Sequence, residues 1–220
     1  MRKRFICLLS GGIDSIVAAW FASRYGDIVF VHIDNEHFLP RGTRERVLEL
    51  AKVLSALLKK KLKLYFVKNG QNIKTIIANA PRKSTCVLCR RTMYRIAEEI
   101  ARREHAYGIV TGESLAQVAS QTLYNLVAES YDISVPILRP LFGLDKEEIV
   151  VYAKQIGTYN ISCTREKGCY GSRGRFVCCF ATPKYPETHA SVEFVKSVEK
   201  ELNIDIKGAV DSAEVLIVGE

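Results

Sequence analysis

Apolar positions along this chain follow two rhythms that take turns. Residues 5–9 are a short continuous apolar run, as expected of a strand buried on both faces, and the run breaks at Ser10-Gly11-Gly12. Ile13, Val17, Trp20 and Phe21 then recur at helical spacing, which predicts a helix to about Tyr25. Residues 28–33 (IVFVHI) predict a second strand, 43–58 a helix, and 62–67 a third strand. A short helix is expected over 74–80, ended by Ala80-Pro81. A long helix is expected over 90–104, a strand over 107–111, a helix over 115–126 and a short strand over 136–138. Residues 145–156 read as a helix with Asp145 near its N-terminus, and residues 192–202 as a closing helix. Between these two, residues 162–183 carry Gly, Arg and four cysteines with no period and read as a loop or a metal-organised segment.

Strands that alternate with helices of ten or more residues imply βαβ crossovers, hence an α/β fold with a mostly parallel sheet covered by helices on both faces. No internal repeat or low-complexity linker interrupts the pattern. The expected organisation is a core over residues 1–160 and a Cys-rich C-terminal excursion with its closing helix over 161–220, within one domain. Open sheets of this class bind ligands at the carboxyl ends of their strands, where residues 10–15 fall.

Composition narrows the compartment and the partner. The 220 residues are 48% hydrophobic and 25% charged, an ordinary globular balance. Met1-Arg2-Lys3-Arg4 resembles the basic end of a signal peptide, but the apolar run behind it is too short for one, and no run reaches membrane-spanning length. A cytoplasmic protein without membrane association is therefore expected. The net charge of +8 favours a polyanionic partner. Basic runs such as residues 59–63 are equally what a solvated surface carries, and no basic amphipathic helix with aromatic anchors points to a lipid surface.

Six of the seven cysteines lie in two clusters, Cys86/Cys89 and Cys163/Cys169/Cys178/Cys179. In a reducing compartment such clusters mark metal, iron–sulfur or redox chemistry rather than disulfides. Cys7, alone in an apolar run, reads as a small buried residue. His32, His37, His105 and His189 show no ligand spacing and read as structural or surface imidazoles.

The most informative segment is the strand–Ser10-Gly11-Gly12-Ile13-Asp14-Ser15–helix unit. Two glycines let backbone approach an anion, the helix start offers N–H donors, and Ser10 and Ser15 add hydroxyls. Asp14 would repel a bare phosphate, so it makes more sense holding Mg²⁺ or a water beside one. Neither GxxxxGK[ST] nor GxGxxG is present, which excludes the ordinary P-loop and dinucleotide fingerprints.

SGGIDS behind a buried N-terminal strand resembles the PP-loop of the N-type ATP pyrophosphatases. The resemblance implies an adenine nucleotide alpha hydrolase-like fold and cleavage of ATP between its α and β phosphates. It places pyrophosphate in the loop and adenine against the second strand, near Ile33. Residues 89–97 (CRRTMYRIA), 111–123 (TGESLAQVASQTL) and 138–141 (LRPL), followed by Asp145-Lys146-Glu147, are similar to the catalytic domain of tRNA 4-thiouridine synthetases. These blocks cover most of residues 5–190. Activation of a uridine O4 as an adenylate needs Mg²⁺, phosphate donors and close backbone, for which Gly112, Glu113, Arg139 and Lys146 are the candidates beside the loop. Glu113 is equally placed to cap the following helix, and Arg139 to form a surface ion pair.

Full-length synthetases carry a tRNA-binding region with a THUMP domain ahead of the loop, and bacterial ones a rhodanese extension. Here the loop begins at Ser10, so the resemblance is to the archaeal iron–sulfur type, with both regions expected to be missing. A separate THUMP-type protein is then expected to supply tRNA binding, and sulfide or a persulfide carrier the sulfur; a homodimer is compatible with this reading. By alignment with the family Cys179 is the catalytic cysteine, and Cys86, Cys89 and Cys179 would hold a [4Fe–4S] cluster with one iron open to sulfide. Zinc on four of the cysteines and a persulfide on Cys179 resolved by a partner thiol are the alternatives. The extra loop around Cys163 and Cys169, with Arg165, Lys167, Arg173 and Arg175, would add RNA contacts or a second metal site. The expected activity is 4-thiouridine-type tRNA thiolation. A PP-loop thiolase or amide-forming ligase acting on a small molecule is one alternative, and a non-catalytic nucleotide- or tRNA-binding accessory protein another.

Overall fold

The computed structural model describes residues 3–114, 121–163 and 179–219. Six strands, β1 (Arg4–Leu8), β2 (Asp27–Asp34), β3 (Leu62–Lys68), β4 (Gly108–Val110), β5 (Ile137–Leu138) and β6 (Glu214–Val218), form one sheet in the order β5-β4-β1-β2-β3-β6. All neighbours are parallel except β6, which runs antiparallel along β3 with Leu62 opposite Val218. The helices are α1 (Ile13–Ser23), α2 (Thr43–Leu58), α3 (Gly70–Asn79), α4 (Thr85–Arg103), α5 (Leu123–Ser130), α6 (Lys146–Gln155), α7 (Tyr159–Ser162), α8 (Val192–Glu201) and α9 (Ile206–Asp211).

Both faces of the sheet are covered, which is why its central strands read as unbroken apolar runs. On one face Phe5, Cys7, Ile28, Phe30, Leu64 and Phe66 pack under α1, α2 and α6. On the other Ile6, Val29, Val31, Ile33 and Val67 pack under α4 and α9. A third cluster joins α3, the start of α4, α5 and α8, and includes Cys89 with Cys179 against it.

The strand order fixes where a ligand can sit. From β1 the chain moves outward to β2 and β3, then returns to the other side of β1 to add β4 and β5. The chain therefore leaves β1 and β4 in opposite directions at the carboxyl edge, the switch point at which open sheets of this class form a ligand crevice.

The predicted strands are all present, as are the helices over 13–25, 43–58, 145–156 and 192–202, within one or two residues at most ends. Asp145 caps α6 in a full capping box with Glu148, its carboxylate accepting from Glu148 N–H at 2.8 Å. Three expectations need correction. The long helix starts at Thr85, not Arg90, so Cys86 and Cys89 lie inside its first turns. A 3-10 turn over Arg82–Ser84, in which Pro81 O accepts from Ser84 Oγ at 2.7 Å, leads into it without a break. The short helix begins at Gly70 rather than Lys74, because Asn69 and Asn72 bury themselves in polar partners instead of marking a turn. The chain does not close with α8: α9 and the edge strand β6 follow it. In β6 the exposed Val215 and Ile217 alternate with inward-facing Leu216 and Val218, a period-2 pattern too short to stand out from a C-terminal tail. Of the helix expected over 115–126, residues 115–120 lie outside the described residues, and the helix that is described runs on to Ser130. Residues 164–178, with Cys169, Cys178, Arg165, Lys167, Arg173 and Arg175, also lie outside them.

Candidate functional site: a phosphate loop beside a thiol cluster

β1 delivers the chain to the carboxyl edge of the sheet, and Gly11 turns it with φ of +83°, a conformation that glycine tolerates without strain. Gly12 is the N-cap of α1 and uses no side chain for the purpose, so the helix's first N–H groups stay directed at the crevice. The loop is held by its two serines. Ser15 Oγ donates to Gly12 O at 3.0 Å and accepts from Ser10 N–H and Ser10 Oγ, both at 3.2 Å.

Thr111-Gly112-Glu113-Ser114, the turn after β4, closes on this loop. A Cβ on Gly112 would stand 2.6 Å from Asp14 C and Ser15 N, so only glycine lets the two segments meet. Asp14 points outward and pairs with Lys146 Nζ at 2.5 Å, bringing the first turn of α6 to the same mouth. Ser10, Gly11, Gly12, Asp14, Ser15, Gly112 and Lys146 are thus gathered at one end of the sheet. Ile33, near the end of β2, is buried against the α4 face.

Glu113 behaves differently from a metal ligand. Its carboxylate is 4% exposed and accepts from Arg90, from Tyr94 Oη at 2.6 Å, from Thr111 Oγ1 at 3.0 Å and from Arg139 Nε at 2.7 Å. Both oxygens are committed, so Glu113 ties the β4 turn to α4 and to the segment after β5. Arg139 is drawn into this buried group rather than onto the surface. Glu129 of α5 completes it, 3.2 Å from Arg90 Nε and fully buried. Burial pushes the Glu129 carboxyl up to about 8, against the pull of Arg90 and Arg139.

Two residues at the loop carried no signal in the sequence. Arg46, on the first turn of α2, is 8% exposed, and its Nε would lie 3.2 Å from a Cβ on Gly11. That Nε has no partner among the described residues, while a terminal nitrogen donates to Thr43 Oγ1 at 3.2 Å. His32 is 2% exposed; its Nδ1 lies 2.8 Å from Leu9 O, and since a carbonyl only accepts, the proton is on Nδ1. Nε2 is then an acceptor without a partner among the described residues, and burial holds the imidazole's pKa below its ordinary value. Neither has motif spacing; the folded contacts of His32 with Leu9 and of Arg46 with Gly11 are what single them out.

The thiols form the second half of the site. Cys7, Cys86, Cys89, Cys163 and Cys179 are present as thiols. Cys86 and Cys89 stand three apart in α4, on one helix face. Cys179 is near enough that it and Cys86 both push the Cys89 pKa upward, adding to the larger effect of burial; Asn35 and Arg90 oppose them. Cys163 is exposed at the end of α7, and Cys7 is buried under α1, as its apolar neighbours led one to expect. Among the described residues no three His, Cys, Asp or Glu side chains stand close enough to share one metal ion. The donors that do approach one another are all thiols from two segments. That set suits a thiophilic cluster, whose ligands bind different irons and stand wider apart than the ligands of one ion.

Comparison with known proteins bears on this arrangement. The family described as Thiamine biosynthesis protein (ThiI) matches residues 1–204. A probable tRNA sulfurtransferase of Methanosarcina mazei is 38% identical over 217 residues, covering 97% of this chain and 51% of the relative. The chain thus spans about half the length of the curated relatives it matches. Among solved structures, a 4-thiouridine synthetase in complex with RNA and ATP superposes with a TM-score of 0.88 at 34% identity, over 99% of this chain and 55% of that one. The U34-tRNA thiolase NcsA of Methanococcus maripaludis, solved with its [4Fe–4S] cluster, shares the fold at a TM-score of 0.51 and 16% identity, over 90% of this chain and 64% of that one. Among the described residues no helix is long and apolar enough to cross a membrane. With the SGGIDS loop, the Gly112 turn and the strand order in place, the family match over residues 1–204 decides the matter: this chain belongs to the ThiI family.

Proposed function

We propose that this chain is the catalytic half of a cytoplasmic ATP-dependent tRNA sulfurtransferase, making a 4-thiouridine-type product. A uridine oxygen attacks the α-phosphorus of ATP and pyrophosphate leaves; a sulfur nucleophile then attacks the activated ring carbon, and AMP leaves with the original oxygen. The observation that carries the reading is the meeting of the Ser10–Ser15 loop, the Gly112 backbone and Lys146 in the crevice beside β1. The likeness to the 4-thiouridine synthetase extends over almost the whole chain and supports it.

Each group has a task in this scheme. The N–H groups at the start of α1, with Ser10, Gly11, Gly12 and Ser15, hold the pyrophosphate end, and Arg46 adds a buried cation behind Gly11. Asp14 is the residue that would hold Mg²⁺, and Lys146, its partner here, is placed to turn to the phosphates. Adenine lies against the main chain of β2 near Ile33, and Gly112 allows backbone to approach the α-phosphate. Glu113 keeps Arg139 and Arg90 fixed beside that turn. Cys179 is the cysteine of sulfur transfer, and Cys86, Cys89 and Cys179 are the residues that would hold a [4Fe–4S] cluster, with zinc as the alternative occupant of the thiols. When bound, such a cluster supplies a thiophilic position for incoming sulfide. tRNA is the substrate, sulfide or a persulfide carrier the sulfur source, and a separate THUMP-type protein an RNA-binding partner.

The test is pyrophosphate release from ATP and Mg²⁺ with and without tRNA, followed by nucleoside analysis for thiouridine. Release that requires tRNA, and that Asp14→Ala abolishes, is the expected result. Equal release without tRNA, or undiminished release by Asp14→Ala, would overturn the assignment.

A further inference from the structure

Three asparagines near Cys89 are almost completely withdrawn from water: Asn35 is 2% exposed, Asn69 1% and Asn72 4%. Asn35 follows β2, Asn69 is the N-cap of α3, and Asn72 lies in that helix's first turn. Buried amides are costly unless every donor and acceptor is used, so the direction of each bond is worth deriving.

The direction is fixed at the far end by main chain. Asp205, the N-cap of α9, has a backbone N–H that can only donate, and Asn72 Oδ1 receives it at 3.0 Å. Asn72 Nδ2 therefore faces the other way; it donates to Asp205 O at 3.1 Å and to Asn69 Oδ1 at 3.0 Å. That leaves Asn69 Nδ2 to donate to Asn35 Oδ1 at 2.8 Å, and Asn35 Nδ2 to donate to Cys89 Sγ at 3.8 Å. Turning any one amide over would set donor against donor or acceptor against acceptor along the chain. Three amide dipoles are thus aligned head to tail with their positive end on one sulfur, and aligned bonds polarise one another in a dry interior.

We propose that Asn35, held by the Asn69–Asn72 amide chain, is a positioning residue that delivers an N–H donor to the ligating sulfur of Cys89. The inference rests on the reading above that Cys86, Cys89 and Cys179 hold a sulfur–metal group. A donor on a ligating sulfur withdraws electron density and favours the more reduced state of the group. It also ties that preference to the C-terminal segment, because Asp205 orients the relay from outside the site.

The experiment is anaerobic reconstitution of the full 220-residue chain with iron and sulfide, then measurement of the midpoint potential for wild type, Asn35→Leu and Asn72→Leu. Asn35→Leu is expected to shift the potential negative by about a tenfold change in the reduction equilibrium, about 59 mV for one electron. Asn72→Leu, which touches no sulfur, is expected to shift it the same way by less. A loaded wild type with variants of unchanged or more positive potential overturns the relay and leaves the cluster reading standing. A wild type that takes up no iron and sulfide overturns the cluster reading instead. The hydrogen bond is then decided in metal-free, ¹⁵N-labelled protein by comparing the Asn35 side-chain amide protons with those of Cys89→Ala. A shift on removing the acceptor keeps the relay, and unmoved resonances overturn it; the same comparison serves if Asn35→Leu does not fold.

Discussion

Replacing Gly112 by alanine tests the geometry of the crevice with a single methyl group. The new Cβ would lie 2.6 Å from Asp14 C and Ser15 N and 2.8 Å from Ser15 Cα, all main-chain atoms that no rotamer change can move aside. Ordinary contact begins at 3.4 Å, so the β4 turn and the first turn of α1 must part by about 0.8 Å. Overpacking of this kind costs about 1–3 kcal/mol, which for a chain of this size lowers the melting temperature by roughly 2–12 °C. The effect on chemistry is expected to be larger. The displaced atoms are those that would hold the phosphates, and a misplacement near 1 Å costs on the order of 100-fold in rate. The assay is tRNA-dependent pyrophosphate release at a temperature well below the melting transition of the variant. Gly143→Ala is the control, since a Cβ there meets nothing within 4 Å. Release by Gly112→Ala within twofold of that control would refute the claim that this contact sets the nucleotide geometry.

Other expectations follow from the same geometry. Asp14→Asn removes only a half-exposed pair with Lys146, worth about 0–1 kcal/mol, so the melting temperature should hold while pyrophosphate release falls at least about 100-fold. Glu113→Gln leaves Arg90 and Arg139 without their shared counter-charge in a buried group, and denaturant titration should show a loss of about 3–5 kcal/mol. Cys179→Ser should release pyrophosphate yet form no thiouridine, as nucleoside analysis would show; thiolated product from this variant would remove Cys179 from sulfur transfer. Glu129 has a folded pKa near 8, above its ordinary 4.5, so the folded state holds a proton that the unfolded state has released between those values. Stability should therefore fall as pH rises from about 4.5 to 8 and level off above, and Glu129→Gln should flatten melting temperature against pH across that window.

The fold was readable because its signals are local. The run over residues 28–33 announces a strand buried on two faces, and Asp145 announces a helix start, each within a few neighbours in sequence. The phosphate loop was legible for the same reason: strand, Gly-Gly and helix are contiguous, and all of its predicted members meet in the folded chain. What stayed hidden depends on contacts between distant segments. Arg46 looks like one more surface cation of α2 until Gly11 is folded against it, 35 residues away in sequence. Glu113 read as a candidate ligand or cap, and only the arrival of Arg90 and Tyr94 from α4 and of Arg139 from the segment after β5 shows that its oxygens are already committed. Asparagine carries the opposite bias. In sequence it signals turns, because its side chain competes with the backbone for hydrogen bonds. Nothing in their spacing marks Asn35, Asn69 and Asn72 as one buried group between α3, α9 and Cys89. The segments on which this site depends are joined through polar side chains rather than apolar ones, and hydrophobic period is silent about such joins. A cysteine pair on a helix declares itself by spacing, whereas the hydrogen bond that sets its chemistry is visible only once Asp205 has folded back to orient it.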